Sequence, residues 1–244
     1  MVTPLPGAVG VSGLQVYDWP TPDGVCGGSP HVHLTCAECY VVVDGVGRVQ
    51  TLTRRGFAET PLRAGTVAWF TPGTIHRLVN QNGLRIVVIM QNSGLPEAGD
   101  AVFTFPAETL ADPSAYAEAA SLAGRDGVDA GEQAARRRRD LAIEGFIALR
   151  KRIDAGDHGA LTEFYRAAVR LKHGSFADWE QRWWAGALAA AHETGQHLTR
   201  LGDGDLTHLT EADIHVLDPP AAQRLGMCGR LDVYDPSSGT SPHD

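Results

Sequence analysis

Two glycine dipeptides, Asp44-Gly45 and Asn82-Gly83, constrain the first part of the chain more than any other feature. Each interrupts strand-like residues, in "YVVVDGVGRVQTLT" (40–53) and in "HRLVNQNGLRIVVIMQ" (76–91). Asp-Gly and Asn-Gly favour positive φ, so each is expected to join two strands in a hairpin. The stretch "ETPLRAGTVAWFTPG" (59–73) adds a strand after a further glycine turn. Many short strands at close spacing predict a sandwich or a barrel.

Composition then changes. From about Asp112 to Leu201 the chain is rich in Ala, Glu, Arg and Leu. Asp112 suits an N-cap and Pro113 the first helical position. In "GEQAARRRRDLAIEGFIALRKRID", Ile143, Phe146, Ile147 and Ile153 fall near one helical face. Glycine-bearing breaks at 155–159 and 173–175 separate three or four helices, expected to form an accessory bundle. Arg136 to Arg139 read as a solvated helix face. The tryptophans 179, 183 and 184 read as core or as a subunit contact. The last residues turn strand-like again, in "DLTHLTEADIHVLDPP" and "RLGMCGRLDVYDP", and are expected to complete or cover a barrel edge. The expected organisation is a β-barrel over 1–108, a helical accessory region over 109–203, and return strands or a tail over 204–244.

The 244 residues carry a net charge of -8, which argues against a nucleic-acid partner. No apolar run approaches the ~20 residues that span a bilayer, and the start lacks a basic, apolar leader pattern. A cytoplasmic location is therefore expected. Cys26, Cys36, Cys39 and Cys228 are then expected as free thiols, and Cys36-x-x-Cys39 has no second pair with which to form a zinc ribbon.

The chemistry concentrates in "SPHVHLTCAECYVVVDG" (29–45). Residues i and i+2 of a strand share a side, so His31 and His33 project together. Glu38 can return from the next strand, and His76 opens a strand after "TPGTI". Three imidazoles and one carboxylate make a mixed N/O site suited to Mn, Fe, Co, Ni or Zn, and ligand type does not choose among them. Tyr40 is in phase with Glu38, and Asn80 with His76. Gln50 and Gln91 lie on strands, and their phase is not fixed. These four are the candidate substrate-binding residues.

This pattern resembles the cupin superfamily. Its first motif is matched by His31, His33, Glu38 and Gly45, and its second by Gly65, Pro72, Gly73, His76 and Asn80. Pro72 adjoins Gly73 directly where the motif leaves a gap, and Gly27 and Gly28 stand nearer to His31 than the motif's leading glycine. Neither departure touches a ligand position. The resemblance covers roughly residues 10–95. It implies a jelly-roll type β-barrel and one divalent transition metal per chain on His31, His33, Glu38 and His76. The expected fold is thus mainly β, a cupin barrel with an α-helical accessory region. The resemblance points to a metal-dependent enzyme on a small oxygenated substrate, such as a sugar, keto or hydroxy acid. An isomerase or epimerase, an Fe-dependent dioxygenase and a non-catalytic ligand sensor all remain open. The tryptophans, together with the resemblance, also lead to the expectation of a homodimer.

Overall fold

The computed structural model of the chain describes residues 4–123 and 131–240, so parts of the expected accessory region and tail lie outside the described residues. Strands are β1 (Gly10–Val16), β2 (Cys26–Gly27), β3 (His31–His33), β4 (Glu38–Thr53), β5 (Gly56–Arg63), β6 (Val67–Phe70), β7 (Ile75–Met90) and β8 (Ala101–Phe103). After the helices come β9 (Arg224–Leu225) and β10 (Gly229–Tyr234). All belong to one antiparallel system, with the path β5-β4-β7-β1-β10-β9. To it, β6 adds on β4, β2 and β3 on β7, and β8 on β3.

The two glycine dipeptides do not make hairpins. β4 runs through Asp44-Gly45 and β7 through Asn82-Gly83 as single strands that pair from Glu38↔Met90 to Leu52↔Ile75. The register slips between Val42 and Gly47, and there the two dipeptides face each other. Gly45 has φ +74°, and a Cβ on it would stand 2.3 Å from the Gly83 carbonyl oxygen. Positive φ serves a bulge as well as a turn. The signal marked a bend shared by two long strands, which lets each serve both halves of the barrel.

The helices are α1 (Ala107–Ala111), α2 (Pro113–Ala120), α3 (Glu132–Asp154), α4 (Ala160–Lys172), α5 (Phe176–Trp183), α6 (Ala189–Gly202) and the short α7 (Thr207–Thr210). The Asp112 carboxylate caps α2 through Ser114 N and Ala115 N. Phe146 and Leu149 of α3 and Phe164 of α4 share one core with Val32, Leu52 and Ile75 of the barrel. α3 can approach closely because residue 145 is glycine, where a Cβ would stand 2.1 Å from the Thr104 carbonyl oxygen. Inside the barrel, Leu14, Tyr40, Leu78 and Ile86 form a second core. A π-helical turn, Trp184–Leu188, joins α5 to α6, and α6 runs largely exposed.

The arginine run is not a solvated face. Arg138 and Arg139 are buried. Arg139 donates to the Trp19 and Pro20 carbonyls, Arg138 to those of Ala120 and Gly226, and Arg136 lies over the Trp19 ring at 4.2 Å. A guanidinium tolerates burial when carbonyls take its N–H groups. The tryptophans also divide: Trp179 is buried, whereas Trp183 and Trp184 are exposed. Of the two C-terminal stretches expected to be strands, the first forms α7 and extended chain with one bridge, Val216 to Thr240. The second forms β9 and β10, and β10 pairs antiparallel with β1 from Val11↔Tyr234 to Val16↔Gly229.

Candidate metal centre

Four buried side chains meet inside the barrel: His31, His33, Glu38 and His76, with one ligand atom from each lying within 4.8 Å of the others. Strand alternation puts His31 and His33 on one side of β3. His31 pairs directly with His76 across β3 and β7, which brings those rings together at 4.3 Å between centroids. Glu38 opens β4. The turn Thr71–Thr74 aims His76, and it is held from both sides: Gly73 N donates to the His33 carbonyl (2.9 Å), and Tyr165 Oη of α4 donates to the Gly73 carbonyl (2.6 Å).

Each imidazole is oriented by an acceptor behind it. Nδ1 of His31 donates to the Ser29 carbonyl (2.9 Å), that of His76 to the Thr74 carbonyl (3.0 Å), and that of His33 to Asp100 Oδ2 (3.1 Å). The three Nε2 lone pairs therefore face the centre. Glu38 Oε2 stands 2.9 Å from His76 Nε2 and 3.5 Å from His33 Nε2. With Nδ1 of His76 carrying its proton, the close pair is a lone pair against a carboxylate oxygen, and both atoms are buried without a hydrogen-bond partner. Orphaned atoms of this kind are costly, and a cation among them would satisfy both. The donor set and the outward-tied Nδ1 groups thus fit a divalent transition metal.

Electrostatics agree with that arrangement. Burial holds the His31 pKa well below the usual imidazole value, aided by the neighbouring His76 and His33, so this ring stays neutral. For His33, burial opposes charging, but the Asp100 hydrogen bond and the Glu38 charge outweigh it and raise the pKa. Glu38 is held down at about 2: burial would raise it, and positive charge among the imidazoles, at His76 first, overcomes that, the charge that a bound cation would supply instead. Asp100 also lies at about 2, where the His33 and Thr35 hydrogen bonds overcome burial.

Of the four, His31, His33 and Glu38 open on a cavity of about 270 Å³ that Tyr40 also lines. The other three candidates for substrate binding are engaged elsewhere. Asn80 donates from Nδ2 to the Val16 carbonyl and accepts from Leu84 N, so it ties strands together. Gln50 donates to Glu59, and Gln91 accepts from Ala37 N at the surface. None of the three lines the cavity.

Two features escaped the sequence reading. Asp100 is separated from His33 by most of the barrel strands, and only the β3–β8 pairing, His33↔Ala101, sets it behind the imidazole. An acidic residue directly before the apolar run "AVFTF" was the available signal. The C-terminal hairpin supplies a wall of the same cavity through Arg224, Met227, Cys228 and Leu231. All four cysteines are free thiols, and burial pushes that of Cys228 up to about 12.

The family model for cupins matches residues 12–111. Among solved structures, one similar chain is an uncharacterized conserved protein with a double-stranded β-helix domain from Klebsiella pneumoniae, 22% identical over 35% of this chain and 69% of that one, with a TM-score of 0.27. Another is a predicted oxalate decarboxylase from Thermotoga maritima, 20% identical over 30% of this chain and 59% of that one, TM-score 0.25. A third is the capsular polysaccharide assembling protein CapF from Staphylococcus aureus, 23% identical over 42% of this chain and 29% of that one, TM-score 0.32. No curated protein matches the chain. Residues 12–111 thus match the cupin family model with both histidine motifs in place.

Proposed function

We propose that this cupin domain is the catalytic unit of a metal-dependent enzyme acting on a small oxygenated substrate, such as a sugar or a keto or hydroxy acid. His31, His33, Glu38 and His76 would hold one divalent transition metal per chain. Such an ion supplies Lewis acidity to neighbouring substrate oxygens. Four protein ligands leave room for a small chelating molecule beside them.

The chain's own groups would do the rest. Burial holds the Tyr40 hydroxyl far above the usual phenol range, with the Glu38 charge adding to it, so it remains a proton-bearing donor beside the ligands. Leu14, Val88 and Leu231 line the cavity and exclude water around the substrate. The observation that carries the reading is the set of three imidazoles, each tied behind at Nδ1 and converging at Nε2 on an orphaned Glu38 oxygen.

The test is elemental analysis of purified protein, followed by turnover and O₂-consumption assays with a panel of small acids and sugars. About one transition metal per chain with turnover of a panel member supports the proposal. Absence of metal from protein refolded or expressed with Mn, Fe, Co, Ni and Zn would overturn it.

A further inference from the structure

We infer that the site takes a short diacid, whose far anionic group is held by Arg224 on the rim of the cavity away from the metal ligands. This inference rests on the proposed function and narrows its substrate class.

Strand register carries Arg224 onto the face that bears the ligands. Directly paired residues share a face of the sheet, and residues two apart along a strand share it as well. One row runs Val42↔Ile86↔Leu14↔Leu231↔Arg224, across β4, β7, β1, β10 and β9. Two residues along is the row Tyr40↔Val88↔Ser12↔Val233, and two further is Glu38↔Met90↔Gly10. The interior face with Glu38 and Tyr40 at one side therefore ends in Arg224 at the other. Leu14, Val88 and Leu231 form the apolar floor between them.

The charge at that rim is not engaged. Arg224 is the one lysine or arginine among the described residues lining the cavity. Its side chain makes no hydrogen bond or ion pair among the described residues, while its backbone lies in the β9–β10 ladder. It acts at range on Asp235, whose carboxylate accepts from Ser237 N (2.9 Å). Other arginines packed on the barrel behave differently: Arg77 is locked to Asp23 at 2.6 Å, and Arg138 and Arg139 to carbonyls. Glu97 also reaches the rim, but its Oε2 accepts from Gly94 N (2.8 Å). Arg224 is thus the free cation facing the cavity, and a carboxylate is what a guanidinium fork holds best.

Size sets the scale of the ligand. The cavity of about 270 Å³ is slightly smaller than the ~300–1,000 Å³ typical of pockets for drug-sized ligands. An acid of about ten non-hydrogen atoms matches it. Its chelating end would meet the ligand cluster, a short methylene chain the apolar floor, and its second carboxylate Arg224.

The test uses the full chain loaded with Mn(II), with metal content measured before any acid is added. Calorimetry compares 2-oxoglutarate and 2-oxoadipate with 2-oxopentanoate and 2-oxohexanoate, which keep the chelating end and lack the far carboxylate. The wild type should bind at least one diacid about tenfold or more tightly than its monoacid mate. Arg224→Gln should erase that difference without changing monoacid affinity or metal content, and Arg224→Lys should keep part of it. Equal binding within each pair, a difference that survives in Arg224→Gln, or no binding of any of the acids would overturn the inference. A chain that takes up no Mn(II) would overturn the metal reading instead. The effect of Arg224→Gln on diacid binding to that metal-free chain would then decide the Arg224 assignment.

Discussion

Asp100 Oδ2 accepts the Nδ1 proton of His33 at 3.1 Å, and Asp100 is wholly buried. The same carboxylate accepts from Thr35 N (2.8 Å), Thr35 Oγ1 (2.7 Å) and Cys36 N (3.3 Å), so it cannot turn away. A fixed carboxylate behind an imidazole sets which nitrogen carries the proton and makes the other a better donor. Residues 35 and 36 thereby brace the His33 imidazole, three residues or fewer away, through a side chain from the far end of the barrel.

Asp100→Asn should therefore weaken metal binding by about 10–100-fold while leaving the stoichiometry near one. Competition with a chelator of known affinity reads this directly. Unchanged affinity would show that the pair serves only the loop.

Removing a ligand should do more. His76→Ala or His33→Ala should abolish retained metal in elemental analysis. By contrast, Cys36→Ser with Cys39→Ser should leave metal content unchanged, because neither thiol belongs to the cluster of four. Metal loss in the double serine variant would place the wrong residues in the centre.

The pH dependence follows from His33. A protonated ring cannot donate to a metal, and the His33 pKa is raised from 6.5. Metal affinity should begin to fall on acidification at a pH above 6.5, with about one proton released per metal bound near that pH. His31 stays neutral there and Glu38 stays ionised, so neither competes. In the metal-free protein the depressed carboxylates Glu38 and Asp100 stabilise the fold above their unfolded values of 4.5 and 3.8. That contribution should be lost as pH falls toward 2. Potentiometric proton counting and acid denaturation measure the two effects.

Trp179 and Trp183 should separate sharply. Trp179 is 3% exposed, packs with Cys36 and Leu95, and donates Nε1–H to the Ala98 carbonyl (3.1 Å). Trp179→Ala should cost about 3–5 kcal/mol in denaturant unfolding. Trp183 is 40% exposed, so Trp183→Ala should cost far less in the isolated chain.

The apolar surface that includes Trp183 motivates the proposal of a homodimer. Trp184 and Leu198 are 60% and 66% exposed, and Leu201 lies beyond them on the same helical run. Within α6, Ala191 and Leu198 stand seven residues apart, as do Thr194 and Leu201, a seam suited to another helix, and the π-helical turn before α6 carries Trp184. Light scattering should give twice the chain mass, and Trp184→Glu with Leu198→Glu should return a monomer. A monomeric wild type at micromolar concentration would remove the proposal.

The sequence by itself determined the four side chains that converge and the strand character of the barrel. His31 and His33 share a side because a strand alternates, and Pro72-Gly73 makes a turn just ahead of His76; both effects act over a few residues. The glycine dipeptides were legible as positive-φ sites, but a turn and a bulge place the same local demand on φ. Only the pairing of β4 with β7 decided for the bend. Arg138 and Arg139 read as surface because charge prefers water; carbonyls at Trp19, Pro20 and Gly226 took their N–H groups instead. Asp100 behind His33 and Arg224 across the cavity from Glu38 were likewise decided by tertiary structure. Each relation joins residues far apart in sequence, and strand register, which no local pattern encodes, brings them onto one face.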